Sequence, residues 1–113
     1  MAMLSKLVKT TGPYGLYALA RVLCRRQPRI LMYHRFSEEP GKGRVSRDVF
    51  RGQVEHICRY YNPMTLRDLS HRLFEEGRVP DHALVLTIDD GYRDFYDIAY
   101  PILQEYRVPA TLL

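Results

Sequence analysis

Hydrophobic positions along the chain alternate between short continuous runs and stripes at three-to-four spacing, and one run stands apart from the rest. Ala83-Leu84-Val85-Leu86-Thr87-Ile88 ends abruptly in two acids and a glycine, Asp89, Asp90 and Gly91. Its shortness, its Leu, Val and Ile content and the absence of polar alternation predict a strand buried on both faces. Consecutive strand residues point to opposite sides, so the two carboxylates diverge unless the backbone turns there, and Gly91 would let it turn. Asp and Gly are also ordinary turn formers, so the same letters read equally as a strand-terminating turn.

The other elements fall into place around this run. Ile30-Leu31-Met32-Tyr33 predicts a first strand that stops at His34, before a polar, glycine-containing loop over 35–44. Val49, Phe50, Val54, Ile57 and Cys58 then recur at helical spacing behind Ser46 as N-cap, which predicts a helix over 47–60. A short connection at 62–64 holds at most a scrap of strand. Leu66, Leu69, Leu73 and Phe74 form the next stripe, with Thr65 and Asp68 at capping-box spacing and Gly77 beyond, so a helix is expected over 66–76. Residues 95–106 read as helical, with Ile98, Ile102, Leu103 and Tyr106 on one side, and Pro101 either starts the main helix or kinks it. An extended apolar run opens at Val108. Strands alternating with helices predict an α/β fold with a parallel sheet or barrel, whose sites gather at the carboxyl ends of the strands. His34 and the Asp89/Asp90 pair would then share one face.

Charge divides the chain unevenly. The first 30 residues hold Lys6, Lys9, Arg21, Arg25, Arg26 and Arg29 without an acid, whereas 11 bases face 13 acids in the remainder. The body is therefore not a basic nucleic-acid binder, and residues 1–28 are set apart from 29–113 as a basic helical segment. A helix is expected over 14–26, separated by Gly12-Pro13 from an apolar piece at 4–8. It is too short to span a bilayer, and its charges follow rather than precede the apolar residues, with no small-x-small site, so no export signal is read. It is expected to pack on the domain, or to make weak membrane-surface contact with anionic lipid; the sequence does not fix the location, and a cytoplasmic or membrane-peripheral one is favoured. Cys24 and Cys58 lie in no Cys-x-x-Cys pair, and Cys58 reads as a small buried apolar residue.

His34 either lies close to Asp89 and joins a polar network or only caps the first strand. His56 and His71 read as surface or boundary residues. Tyr92, Tyr96, Tyr100 and Tyr106 suggest a sugar-stacking platform, yet at helical spacing they read rather as core and boundary packing, Tyr92 excepted because it adjoins the motif.

Leu86-Thr87-Ile88-Asp89-Asp90-Gly91-Tyr92 resembles the first motif of the polysaccharide deacetylases (NodB homology family), usually written T-F-D-D-G, with Ile88 in the aromatic position. Leu31-Met32-Tyr33-His34 resembles the opening strand of many members, 46–50 the start of the following helix, and Ala99-Tyr100-Pro101-Ile102-Leu103 with Val108-Pro109-Ala110-Thr111 the segment after the motif. The resemblance covers roughly 29–113 and implies the N-terminal portion of a deformed (β/α) barrel that removes acetyl groups from N-acetylated amino-sugar polysaccharides with a divalent metal, zinc or similar. It implies that Asp89 is the general base and Asp90 a metal ligand, with His34 and Tyr92 as candidate neighbours. The chemistry needs both acids: a metal polarises the acetamide carbonyl and a water, and a separate carboxylate accepts that water's proton.

The family's remaining metal ligands are two histidines spaced i, i+4 downstream of the Pro-Ala-Thr segment. The four histidines here, His34, His56, His71 and His82, contain no such pair. The chain is therefore expected to be a domain truncated at its C-terminus, inactive by itself. Two other readings stand beside it: a non-catalytic saccharide- or partner-binding fragment, and a magnesium-dependent phosphoryl-transfer enzyme, although the latter usually separates its acids by one residue.

Overall fold

The computed structural model describes residues 15–113; the apolar piece at 4–8 and the Tyr14 start of the first helix lie outside them. Helix α1 occupies 15–23 and gives way to a turn over 24–26. It ends short of the expected boundary because the chain tightens, with Arg25 N donating to Val22 O and Gln27 N to Cys24 O. The order then runs β1 (Arg29–Tyr33), β2 (Phe36–Ser37), β3 (Val45–Ser46), α2 (Arg47–Tyr60), β4 (Asn62–Met64), α3 (Leu66–Phe74), β5 (Ala83–Ile88), a π-helical turn (Phe95–Ala99), α4 (Tyr100–Tyr106) and β6 (Thr111–Leu112).

Strand β5 is the axis of the sheet. β1 runs parallel along one of its edges, from Arg29 opposite Leu84 to Tyr33 opposite Ile88. The other edge is divided between β4, opposite 83–85, and β6, opposite 87–88, both parallel. Parallel neighbours need long crossovers, and α2, α3 and α4 supply them. All six residues of β5 are buried. Leu84, Leu86 and Ile88 enter one apolar cluster with Phe50, Val54 and Ile57 of α2 and Ile102 and Leu103 of α4. Ala83 and Val85 meet Met64 and Leu69 on the opposite face. Burial on both faces is why the run lacks polar alternation.

Local sequence sets the helix ends. Ser46 Oγ accepts from Val49 N at 3.3 Å, and Thr65 Oγ1 accepts from Asp68 N at 3.1 Å. Pro101 starts rather than kinks the last helix: it sits in the first turn of α4, and the π-helical turn before it places Tyr100 N on Phe95 O. Proline cannot donate to the carbonyl of Asp97, and that carbonyl accepts from Arg47 Nη2 at 3.4 Å instead.

Several side chains depart from the sequence expectation. The loop at 35–44 contributes Phe36, which is fully buried and packs with Tyr33 and Phe50 at ring-centroid distances of 5.8 and 4.9 Å. Helix α3 stops at Phe74 rather than 76, and Leu73 and Phe74 are exposed. Val49 and Cys58 are exposed as well, because α2 buries only the narrower stripe of Phe50, Val54 and Ile57. Tyr96 and Tyr100 stack on each other at the surface, with centroids 5.7 Å apart, instead of packing in the core. Along β1, Ile30, Leu31 and Met32 are exposed, because among the described residues no strand pairs with the free edge of β1.

Candidate active site

The site is built where β1 and β5 end together. Tyr33 and Ile88 are the last paired residues, so His34 and Asp89 are the next pair in register and fall on the same face. His34 Nε2 lies 3.3 Å from Asp89 Oδ2, with the imidazole half exposed and the carboxylate 21% exposed. The Asp89 amide still donates to Tyr33 O at 2.9 Å, which fixes the backbone beneath this carboxylate. Its second oxygen, Oδ1, is buried without a hydrogen-bond partner among the described residues. An oxygen in that state has capacity for a further donor, such as a water molecule.

Asp90 leaves the strand direction. Its φ is 69° and that of Gly91 is 57°, so two successive residues in the left-handed region turn the chain. The Asp90 carboxylate is exposed, while its amide donates to Leu113 O at 3.3 Å. The two adjacent acids thus occupy different environments, as the strand-and-turn reading requires.

Tyr92 is 41% exposed and its ring lies 4.0 Å below the guanidinium of Arg35. Arg35 Nε donates to Asp94 Oδ2 at 2.7 Å, and Arg44 approaches the same oxygen at 3.8 Å. This pairing, with Asp94 only 14% exposed, holds the Arg35 guanidinium firmly charged. Beside the site, burial pushes the Tyr33 phenol up, and its hydroxyl donates to Gln53 Oε1 at 2.7 Å. Arg35 and Asp94 were not singled out in the sequence. They follow His34 and the Asp-Asp-Gly turn closely, but 59 residues separate them, and only the sheet brings them together.

A divalent metal finds a partial donor set here. The structure brings His34 to Asp89 and leaves Asp90 apart, and among the described residues no group of three or more His, Cys, Asp or Glu is placed to hold a metal ion. A zinc-type site asks for three protein ligands, so these residues do not make one by themselves.

Residues 76–113, with the acid pair inside them, match the family described as polysaccharide deacetylase. The chain is similar to the N-terminal part of that family's catalytic domain. Among individual relatives, YxkH of Bacillus subtilis, named for the same family, is 32% identical over 84 residues, covering 74% of this chain and 30% of YxkH. The poly-beta-1,6-N-acetyl-D-glucosamine N-deacetylase of Escherichia coli K12 is 38% identical over 51 residues, covering 45% of this chain and 8% of that enzyme. The solved structure of IcaB from Ammonifex degensii superimposes with a TM-score of 0.69 at 23% identity, over 76% of this chain and 37% of IcaB. The chain therefore spans less than a third of the length of either curated relative. Its parallel sheet with flanking helices is part of the deformed (β/α) barrel of these proteins.

Proposed function

We propose that this chain supplies the acid end of an N-deacetylase site acting on an N-acetylated amino-sugar polysaccharide, and that residues 29–113 form this part, set apart from the basic segment 1–28, of which only 15–28 lie within the described residues. The observation that carries the reading is the inequality of the two acids. Asp89 is half-buried, touches His34 and keeps one oxygen unpartnered, while Asp90 is swung outward by its positive φ. Asp89 is the general base: its carboxylate accepts the proton of a water attacking the acetamide carbon, and His34 steadies it at Oδ2. Tyr92 lies beside this carboxylate in sequence, held by Arg35, and offers a flat face to a sugar ring.

Asp90 is assigned to the metal that the resemblance implies; bound there, the metal would polarise the acetamide carbonyl. The incomplete donor set supports a chain that does not turn over by itself. Acetate release from N-acetylglucosamine oligomers, measured with and without added zinc, tests both statements. This chain should release none, a longer protein carrying the downstream histidines should release acetate, and Asp89→Asn in the longer protein should abolish it. Acetate release by the longer Asp89→Asn variant at the parent rate would remove Asp89 from the mechanism.

A second reading, partner binding without catalysis, is favoured by the exposed Ile30, Leu31 and Met32 along the open edge of β1. A phosphoryl-transfer site is not favoured, because Asp89 and Asp90 do not converge. No described helix is long and apolar enough to cross a membrane. Exposed Tyr17, Val22 and Leu23 beside Arg21, Arg25 and Arg26 support weak membrane-surface contact through 14–26, and with it a cytoplasmic or membrane-peripheral location; Tyr14 itself lies outside the described residues.

A further inference from the structure

A groove of about 890 Å3 lies between α1 and α2, at the end of the sheet opposite Asp89. Arg29, the first residue of β1, lines it, so a strand length of roughly 16 Å separates it from the acid pair. The lining sets arginines against tyrosine faces. The Arg21 guanidinium lies 4.1 Å and that of Arg59 5.7 Å from the centroid of the Tyr60 ring, and Arg29 lies 5.3 Å from that of Tyr61. His56 completes the cluster, 4.8 Å from the Tyr60 ring.

These cations are held without carboxylates. Among the described residues Arg21, Arg29 and Arg59 pair with no acid, and neither do Arg26, Arg67, Arg72, Arg78 and Arg107; what sets the three apart is that they line one groove together. The one acid lining the groove, Glu55, accepts from Tyr106 Oη at 2.6 Å. What keeps the arginines together is the ring faces and, for Arg59, its place in the last turn of α2, where the helix dipole favours a cation. Stacking uses the face of a guanidinium and leaves its in-plane N–H donors available; Arg29 spends one of them on Gln27 O, at 3.3 Å, and keeps the rest. Several such forks around one concavity suit a tetrahedral anion with many oxygens better than a carboxylate, which one fork satisfies.

We propose that the α1–α2 groove binds a phosphate group through Arg21, Arg29 and Arg59, carried either by a soluble phosphate ester or by an anionic lipid headgroup. The site is independent of the deacetylase reading, since it shares no residue with it.

Sodium pyrophosphate titrated into the 113-residue chain, followed by tyrosine fluorescence, is the direct probe. Saturable binding is expected, weakened about tenfold or more in Arg21→Gln/Arg59→Gln and within about twofold of the parent in the charge-matched Arg67→Gln/Arg72→Gln on α3, with circular dichroism confirming that both variants fold. A second arm sediments the chain with vesicles of phosphatidylcholine alone or mixed with phosphatidylglycerol. Retention on the mixed vesicles that the groove variant loses identifies a lipid headgroup; pyrophosphate binding without such retention identifies a soluble ester. Equal weakening by the two double variants would overturn the site as mere net charge, and so would absence of binding to either probe.

Discussion

His34 Nε2 sits 3.3 Å from Asp89 Oδ2 because the two residues continue the β1–β5 register by one step beyond Tyr33 and Ile88. The contact is partly solvated, with His34 half exposed, so its contribution to stability is small. His34→Ala should change the unfolding free energy by less than about 1 kcal/mol in urea titration. A loss above about 2 kcal/mol would make the pair a structural strut instead of a group reserved for the site.

Asp90 occupies the left-handed region with φ at 69°. Backbone strain there is relieved by glycine and aggravated by a β-branched residue. Asp90→Gly should leave the chain unchanged or up to about 1 kcal/mol more stable, while Asp90→Val should cost about 1–2 kcal/mol. Paired denaturation curves decide it, and a destabilised Asp90→Gly would show that the carboxylate is retained for folding.

Asp94 anchors Arg35, and Arg35 in turn lies over Tyr92. Asp94→Ala should lower the melting temperature, since it removes the acceptor that holds the Arg35 guanidinium over Tyr92. Asp94→Asn, which keeps an acceptor, should cost less. Thermal unfolding of the two variants provides the ranking, and the reverse order would contradict the anchor.

Leu86 and Thr87 are both buried in β5 but on opposite faces. Leu86→Ala should cost about 2–5 kcal/mol by opening a cavity between β5 and the helices. Thr87 Oγ1 reaches Leu31 O only at 3.4 Å, a weak bond, so Thr87→Val should stay within about 1 kcal/mol of the parent. Calorimetry of both variants would expose an error if the threonine replacement proved the costlier.

Alkaline pH should weaken the fold through Tyr33. Burial raises its phenol above the ordinary value of 10.0, so the folded chain holds this proton after the unfolded chain has released it. The stabilisation is complete below the unfolded value and is lost as pH rises through the folded one. Tyr33→Phe should flatten the decline in melting temperature above about pH 10; an unchanged alkaline slope would assign the decline to other groups.

How much of this was readable beforehand differs from element to element. Helix α2 and strand β5 have the predicted limits, because Ser46 caps one and the other is an apolar run closed by acids, both local signals. The edge placement of β1 and the exposure of Leu73, Phe74, Tyr96 and Tyr100 were not readable, since burial depends on which neighbour arrives. Phe36 was missed for the same reason: two residues of strand in a polar loop carry no periodicity.

By itself the sequence determined that a buried strand ends in Asp89 and Asp90, and that His34 ends another, because hydrophobic runs and turn residues act over a few neighbours. Tertiary structure alone decided that His34 meets Asp89 and not Asp90, that Asp94 takes Arg35 across 59 residues, and that Arg21 shares a tyrosine ring with Arg59. Strand register and helix docking set those distances, and both are properties of the packed chain.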